Sequence, residues 1–153
     1  MTAPGYAADM AHFLFTTSRW GPARGSSPGE RATRLLRVRM WGISADEPHR
    51  HVLAPGDLIL IYLGAPVREF IGRAELASAA RDWTPAEAPV YPGDSQSGVV
   101  LTRVEEWNPP VPVDAVLARL DPAENARADF EPGVVRITPH EYQAAVAAWA
   151  DSP

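Results

Sequence analysis

The sequence predicts an α+β fold: a small mixed β-barrel of five or six strands, with short helices packed on it and a helix at the C-terminus. Residues 57–63 (DLILIYL) are apolar at every position after Asp57, which is typical of a strand buried on both faces. Glycine and proline separate this run from other short apolar runs. Near the C-terminus, Thr138 and Glu141 form a capping box with Pro139 between them, which indicates the start of a helix.

The predicted elements follow one another closely along the chain. A turn at Gly64, Ala65 and Pro66 joins the central strand to the next one, so the two form a hairpin. Residues 21–29 are rich in Gly, Ser and Pro and are expected to form a surface loop, as is the proline-rich crossing at 81–98. We predict strands at 12–16, 38–43, 57–63, 68–77, 98–107 and 134–137, and helices at 30–37, 113–120 and 139–149.

Length and composition are typical of one globular domain. The 153 residues are enough for a single core, so we expect one domain over 1–153 with a loose lead-in at 1–11. The chain has no cysteine, which excludes disulfides and thiolate metal sites. No signal-peptide pattern or membrane-length apolar run is present, so we expect a cytoplasmic protein without a membrane partner.

The charge is distributed unevenly. All fourteen basic residues are arginine, and the net charge of −5 argues against a protein that coats duplex nucleic acid through bulk electrostatics. Residues 19–51 hold seven arginines against three acidic residues, a local balance of +4, so the remainder carries −9. A basic patch on an acidic body suits a few phosphate contacts. We expect these contacts from Arg19, Arg24, Arg31 and Arg34.

Several segments match those of a known family in their order and spacing along the chain. The segments are HFLFTTS, then Trp41-Gly42-Ile43, then the hairpin GDLILIYLG with FIGRAEL, then Asp82-Trp83, and a last strand with Thr-Pro before a helix. Over residues 13–149 the chain resembles EVE-domain proteins of the PUA-like superfamily, which also includes the YTH and ASCH domains. The resemblance implies a non-enzymatic nucleic-acid-binding domain. Its ligand would be a methylated or hydroxymethylated cytosine, or N6-methyladenine, flipped from DNA or RNA into an aromatic cage.

The resemblance also implies the residues of that cage. Trp41 stands where the family places the first cage tryptophan, and Trp83 stands where a second wall is expected, beside Asp82 as the partner of the base edge. Thr17 and Ser18 occupy the position that offers polar contacts to the base. Two further aromatic residues are candidates for the pocket: Trp20 as a gate or a loop anchor, and Tyr62 as a core residue whose hydroxyl reaches the rim.

Physical chemistry supports such a site and leaves alternatives open. Tryptophan faces replace base stacking at about 1–3 kcal/mol per base. However, Trp41 lies in an apolar run typical of a core residue, and arginines three apart on a helix also form a solvated face. A pure interaction module predicts that both Trp41 and Trp83 are buried, or that an apolar surface patch lies elsewhere, whereas base reading predicts that the two tryptophans line one pocket.

Enzymatic chemistry has less support in the sequence. Glu105 and Glu106 are adjacent on a strand and so point to opposite faces. His49 and His51 form an H-x-H pair without a third ligand at suitable spacing, so we expect no metal, no cofactor and no catalytic set. The alternatives that stay open are an interaction module that recruits a nuclease or helicase, and an RNA-cleaving or hydrolytic enzyme like those proposed among ASCH relatives.

Overall fold

The computed structural model describes residues 10–17, 27–128, 130 and 133–152. Seven strands form one curled mixed sheet, a half-barrel, in the order β2-β6-β4-β3-β1-β7, and β5 also pairs with β6. The β1–β3 pair is parallel and the remaining pairs are antiparallel. The strands are β1 (His12–Thr17), β2 (Met40–Gly42), β3 (Leu58–Leu63), β4 (Glu69–Leu76), β5 (Arg81–Asp82), β6 (Ser97–Pro112) and β7 (Val134–Ile137).

Three of the four helices begin with the same local signal. The helices are α1 (Pro28–Val38), α2 (Val113–Leu117), α3 (Pro122–Arg127) and α4 (Pro139–Ala150), with a 3₁₀ turn at Arg50–Val52. Ser27, Asp121 and Thr138 are the N-caps of α1, α3 and α4, and each forms a capping box with a glutamate three residues later. The reciprocal bonds satisfy backbone N–H groups that have no partner within the helix.

The central strand is buried on both faces, as predicted. Alternate side chains of β3 point to opposite faces of the sheet. Ile59 and Ile61 pack in a first core cluster with Leu36 of α1. Leu60 and Tyr62 pack in a second core cluster under α2 and α4. The predicted hairpin of β3 and β4 is also confirmed, so the sheet has the organisation that the apolar pattern indicates.

Several details differ from the prediction. Helix α1 includes Val38, which was predicted as the start of a strand, and α2 ends at Leu117 instead of residue 120. Strand β6 does not end at Trp107 but continues to Pro112, because Pro109 and Pro110 lie where the pairing with β4 shifts register between Phe70 and Gly72. Proline is tolerated at such an irregularity, since no ladder hydrogen bond is needed there. The short strand β5 interrupts the expected loop at 81–98. Helix α3 was not predicted.

None of the helices in the described part of the chain is long and apolar enough to cross a membrane.

Candidate functional site

A recess of about 310 Å³ opens at the C-terminal end of β1, between α1 and the proline-rich segment 83–96. We call it the Tyr91 recess. Its wall combines two arginines, an aromatic ring, a carboxylate, a hydroxyl and apolar surface. The described residues that line it are Thr17, Arg31, Arg34, Leu35, Tyr91, Pro92, Gly93 and Asp94.

Helix α1 positions the cationic side of the recess. Its apolar side is fixed because Ala32 and Leu36 are buried in the first core cluster. Arg31 and Arg34 lie three residues apart and therefore project from neighbouring positions on the helix surface. The next arginine along the helix, Arg37, instead donates to Glu106 Oε2 at 3.3 Å. Arg31 and Arg34 thus line the recess, and Arg37 lies outside it.

An aromatic pair forms the opposite side. The ring centroids of Trp83 and Tyr91 lie 4.9 Å apart with an angle of 38° between the planes. The Trp83 indole N–H donates to the carbonyl oxygen of Ser95 at 2.9 Å. The Tyr91 hydroxyl accepts the backbone N–H of Gly42 at 3.1 Å. Tyr91 faces the recess and Trp83 supports it from behind, while the Gly42 bond attaches the pair to β2.

Two glycines allow Tyr91 its position. A Cβ on Gly42 would overlap the Tyr91 hydroxyl oxygen, and a Cβ on Gly93 would lie 2.8 Å from Tyr91 Cε2. Both glycines are therefore needed for close approach of the backbone to the ring. The ring position is set by the backbone of two separate segments.

The segment that carries the aromatic pair is braced at its start. Arg81 donates to both carboxylate oxygens of Glu87, at 2.7 and 3.0 Å. Glu87 also accepts the backbone N–H of Thr84, and Thr84 Oγ1 accepts the backbone N–H of Glu87. The hydrogen bonds from Arg81, followed by those from Thr84, lower the pKa of Glu87 to about 2. Such reciprocal bonds limit the motion of the turn that precedes Tyr91.

The recess has a chemical character of its own. Arg31 and Arg34 supply positive charge for an anion such as a phosphate. Tyr91 supplies a face for a planar group, and Asp94 supplies a carboxylate that accepts hydrogen bonds. Burial raises the pKa of Tyr91, so its hydroxyl is neutral at pH 7. The arrangement suits binding of a planar, amino-bearing and phosphate-linked ligand.

The structure brings together only some of the predicted site residues. Thr17, Arg31 and Arg34 line one recess, and Trp83 supports its aromatic wall. Their contacts with a ligand stay predictions. Tyr91 and Asp94 were missed, although both lie in a Tyr-Pro-Gly-Asp sequence typical of an ordered turn. That composition signals a turn but does not show which surface the turn faces.

Trp41 lies in a different place from Trp83. It is 6% exposed, and its ring centroid is 6.0 Å from that of Phe15, so most of the side chain belongs to the core. Its remaining surface lines a smaller recess of about 190 Å³, where the two ends of the curled sheet, β2 and β7, come close. We call it the seam recess; it is lined by Thr16, Trp41, Gly42, Ile43, Ser44, Glu47, Gly133 and Val134.

The other predicted pocket residues lie elsewhere. Tyr62 is 1% exposed and packs between Phe70 and Phe130 in the second core cluster, so it lines neither recess. Its large apolar ring fits a strand position that is covered by helices. Asp82 is exposed at the end of β5, outside the Tyr91 recess. The predictions for Ser18, Arg19, Trp20 and Arg24 lie outside the described residues.

The H-x-H pair does not form part of a larger ligand set. His49 Nδ1 lies 3.5 Å from Glu47 Oε2, and His51 is exposed in the 3₁₀ turn. Within residues 10–17, 27–128, 130 and 133–152, no three His, Asp or Glu side chains are grouped closely enough to hold a metal ion.

Comparison with known proteins identifies the fold. Neither a protein-family model nor a curated protein matches the chain. Solved structures do. Human THYN1, solved in complex with 5-methylcytosine-containing DNA, aligns with a TM-score of 0.59 and 12% identity, over 94% of this chain and 99% of that one.

Two further structures give the same result. ASCH from Zymomonas mobilis aligns with a TM-score of 0.52 and 14% identity, over 91% of this chain and 96% of that one. A hypothetical protein from Leishmania major aligns with a TM-score of 0.57 and 16% identity, over 95% of this chain and 98% of that one. Identities this low establish the fold alone. The chain therefore has the fold of these structures, the PUA-like fold that the sequence predicts.

Proposed function

We propose that this chain is an EVE-type, non-enzymatic domain that binds a modified base, flipped from DNA or RNA into the Tyr91 recess. The observation that carries the proposal is the recess itself, which joins an aromatic wall, two arginines and a carboxylate. Its volume of about 310 Å³ is at the low end for ligand pockets, and so it suits one nucleotide. The fold is similar over 94% of the chain to a protein solved with 5-methylcytosine-containing DNA, which makes that base the first candidate.

Stacking on the aromatic wall compensates for the stacking that a flipped base loses. Flipping costs a few kcal/mol, and an aromatic contact returns about 1–3 kcal/mol per base. Among the described residues, Tyr91 is the ring that lines the recess, with Trp83 behind it. A methyl group on the base adds apolar contact worth about 0.8 kcal/mol. Leu35 and Pro92 offer the apolar surface for such a methyl group.

Asp94 is the proposed partner of the base edge. A carboxylate accepts a hydrogen bond from an exocyclic amine, as on cytosine or N6-methyladenine. The sequence predicted this role for Asp82, but Asp94 is the carboxylate that lines the recess. Thr17 adds a hydroxyl that both donates and accepts, which suits a hydroxymethyl group. Thymine and uracil present a carbonyl in place of the amine, so we expect them to bind more weakly.

The two recess arginines are the proposed phosphate contacts. Base contacts alone do not offset the cost of flipping, so contacts with the backbone must contribute. Arg34 is exposed on α1 beside the recess. The net charge of −5 keeps non-specific attraction to nucleic acid low. Selectivity then depends on the recess and not on general electrostatics.

The first experiment measures binding of short DNA and RNA oligomers at fixed salt. Each oligomer carries one 5-methylcytosine, 5-hydroxymethylcytosine, N6-methyladenine or an unmodified base at the same position. We expect tighter binding of one modified oligomer than of its unmodified form. Asp94→Asn should weaken binding of both forms, because Asp94 is the proposed acceptor for the amino group that both bases carry. Asp82→Asn is the matched control because it removes an exposed carboxylate outside the recess, and we expect it to bind like the wild type.

Two results would overturn the proposal. Equal binding of all oligomers by a folded wild-type protein contradicts base reading and favours an interaction module that recruits a nuclease or helicase. Cleavage of an RNA oligomer that Asp94→Asn and Arg34→Gln abolish favours an ASCH-like hydrolytic enzyme. The same reactions, sampled over hours on a gel, distinguish binding from turnover.

A further inference from the structure

The seam recess lies directly beside the Tyr91 recess. Thr16 lines the first and Thr17 the second, and these residues are consecutive on β1. Gly42 lines the seam recess, and its N–H is bonded at 3.1 Å to the hydroxyl of Tyr91 in the other. The two recesses therefore meet at the end of β1 and at the Gly42–Tyr91 hydrogen bond. A polynucleotide with one base in the Tyr91 recess can place a neighbouring nucleotide beside the seam recess.

Glu47 gives the seam recess an acceptor. Its side chain is only 16% exposed, and its Oε2 accepts the backbone N–H of His49 at 3.1 Å. The other oxygen, Oε1, lies 3.5 Å from the position of a Cβ on Gly133, at the opposite wall of the recess. Oε2 also lies 3.5 Å from Nδ1 of the His49 ring. None of the described residues donates a hydrogen bond to Oε1, so this oxygen has acceptor capacity for a ligand in the recess.

Size and wall chemistry define what fits. A volume of about 190 Å³ holds roughly six water molecules, which is enough for the edge of a base and too little for a whole nucleotide. Trp41 provides an apolar wall and Glu47 the acceptor. Cytosine, adenine and guanine each carry an amino group that donates to a carboxylate. Thymine and uracil carry none, and their carbonyl oxygens would face the carboxylate unfavourably.

We propose that the seam recess is a second subsite, which reads the nucleotide next to the modified base through a hydrogen bond from its amino group to Glu47. This inference rests on the proposed function, since it needs a base in the Tyr91 recess. The recognised unit is then a two-nucleotide step. It has one nucleotide read at Tyr91 and Asp94 and the other at Trp41 and Glu47.

The test varies the nucleotides on either side of the modified base. Single-stranded oligomers carry one 5-methylcytosine, or whichever modified base the wild type prefers, flanked in turn by cytosine, adenine, guanine or thymine. We expect thymine on one side to weaken wild-type binding about tenfold, the loss for an unpaired charged hydrogen-bond acceptor. Glu47→Ala is expected to reduce that difference to less than about twofold.

Two further variants make the result specific. Glu47→Gln presents an amide that both donates and accepts, so thymine becomes as good a neighbour as cytosine. Glu47→Gln also replaces Glu47→Ala in the test if thermal unfolding shows that Glu47→Ala is unstable. Asp46→Asn is the matched control, because Asp46 is exposed and does not line the recess. We expect Asp46→Asn to keep the tenfold preference.

The outcomes separate this inference from the proposed function. A neighbour preference that survives in both folded Glu47 variants overturns the inference, as does wild-type binding that is independent of the neighbours. In either case a retained preference for the modified over the unmodified base leaves the proposed function standing. A wild type without that preference overturns the proposed function and the inference with it.

Discussion

Tyr91 contributes its hydroxyl to the stability of the fold and its ring to the proposed binding site. Two substitutions remove these groups separately. Tyr91→Phe keeps the ring against Trp83 but deletes the oxygen that accepts the Gly42 N–H. Loss of that bond and of a partner for the amide is expected to cost about 1.5 kcal/mol in the free energy of unfolding. For a chain of this length that corresponds to a fall of about 3–6 °C in Tm.

Tyr91→Ala also removes the ring. If the modified base stacks on this ring, the stacking energy of about 1–3 kcal/mol is lost, which corresponds to a 5- to 150-fold rise in Kd. Tyr91→Phe should change Kd by less than about threefold, because the face that stacks is retained. The assay is fluorescence anisotropy with a labelled modified oligomer, at a temperature well below the Tm of every variant.

Tyr142→Phe is the matched control for this pair. Tyr142 is 4% exposed in the second core cluster, where it contacts the ring of His12, away from the Tyr91 recess. Its loss of a hydroxyl should lower Tm without changing Kd. Unchanged binding by a folded Tyr91→Ala protein would refute the assignment of Tyr91 as the stacking wall. An equal loss of binding in Tyr142→Phe would show that the effect comes from general destabilisation.

Three further predictions follow from the same contacts. Arg34→Gln should reduce the slope of log K against log salt by about 0.7 for a single-stranded ligand, whereas Arg37→Gln, whose arginine is paired with Glu106, should leave it unchanged. Gly42→Ala should destabilise the protein by about 1–3 kcal/mol and weaken binding, because the new methyl group displaces the Tyr91 hydroxyl; unfolding in urea and anisotropy measure the two effects. The folded-state pKa of Glu87, about 2, is below its ordinary value of 4.5, so its contribution to stability is present above pH 4.5 and is lost as the pH falls toward 2. The difference in Tm between the wild type and Glu87→Gln should therefore decrease over that interval, and a difference that stays constant with pH would contradict the assignment.

Much of the fold could be predicted because local sequence patterns, such as apolar runs and capping boxes, agree with the tertiary packing. The run at 57–63 is apolar on both faces, and β3 indeed lies between β1 and β4 with a core cluster on each side. The capping box at Thr138 begins α4 where expected. Helix α3 was missed although Asp121, Pro122 and Glu124 carry the same signal, because a helix this short leaves no apolar periodicity.

The candidate site was less predictable because it joins segments that are distant in the sequence. The positions of Arg31 and Arg34 follow from helical spacing and the apolar side of α1. That Tyr91 reaches Gly42, and that Asp94 rather than Asp82 faces the arginines, depends on how an irregular segment folds over β6. Such segments have no periodic pattern from which a direction can be inferred.

The two tryptophans show the same limit. The sequence placed Trp41 and Trp83 in one cage, or both in the core if the chain were an interaction module. In the structure Trp41 is nearly buried and borders the seam recess, whereas Trp83 is half-buried behind Tyr91. The sequence shows which residues are aromatic, but it does not show at which recess each of them lies in the folded protein. Direct contact of either tryptophan with a base stays a prediction.

The most direct test of the central claim is a titration of ¹⁵N-labelled protein with the preferred modified oligomer, followed by NMR. The claim is that the modified base occupies the Tyr91 recess. It predicts the largest shift changes at the amides of Tyr91, Gly93 and Asp94 and at the indole N–H of Trp83, with smaller changes for the unmodified oligomer. Shift changes confined to the far side of the sheet, around Arg73 and Tyr142, would contradict it.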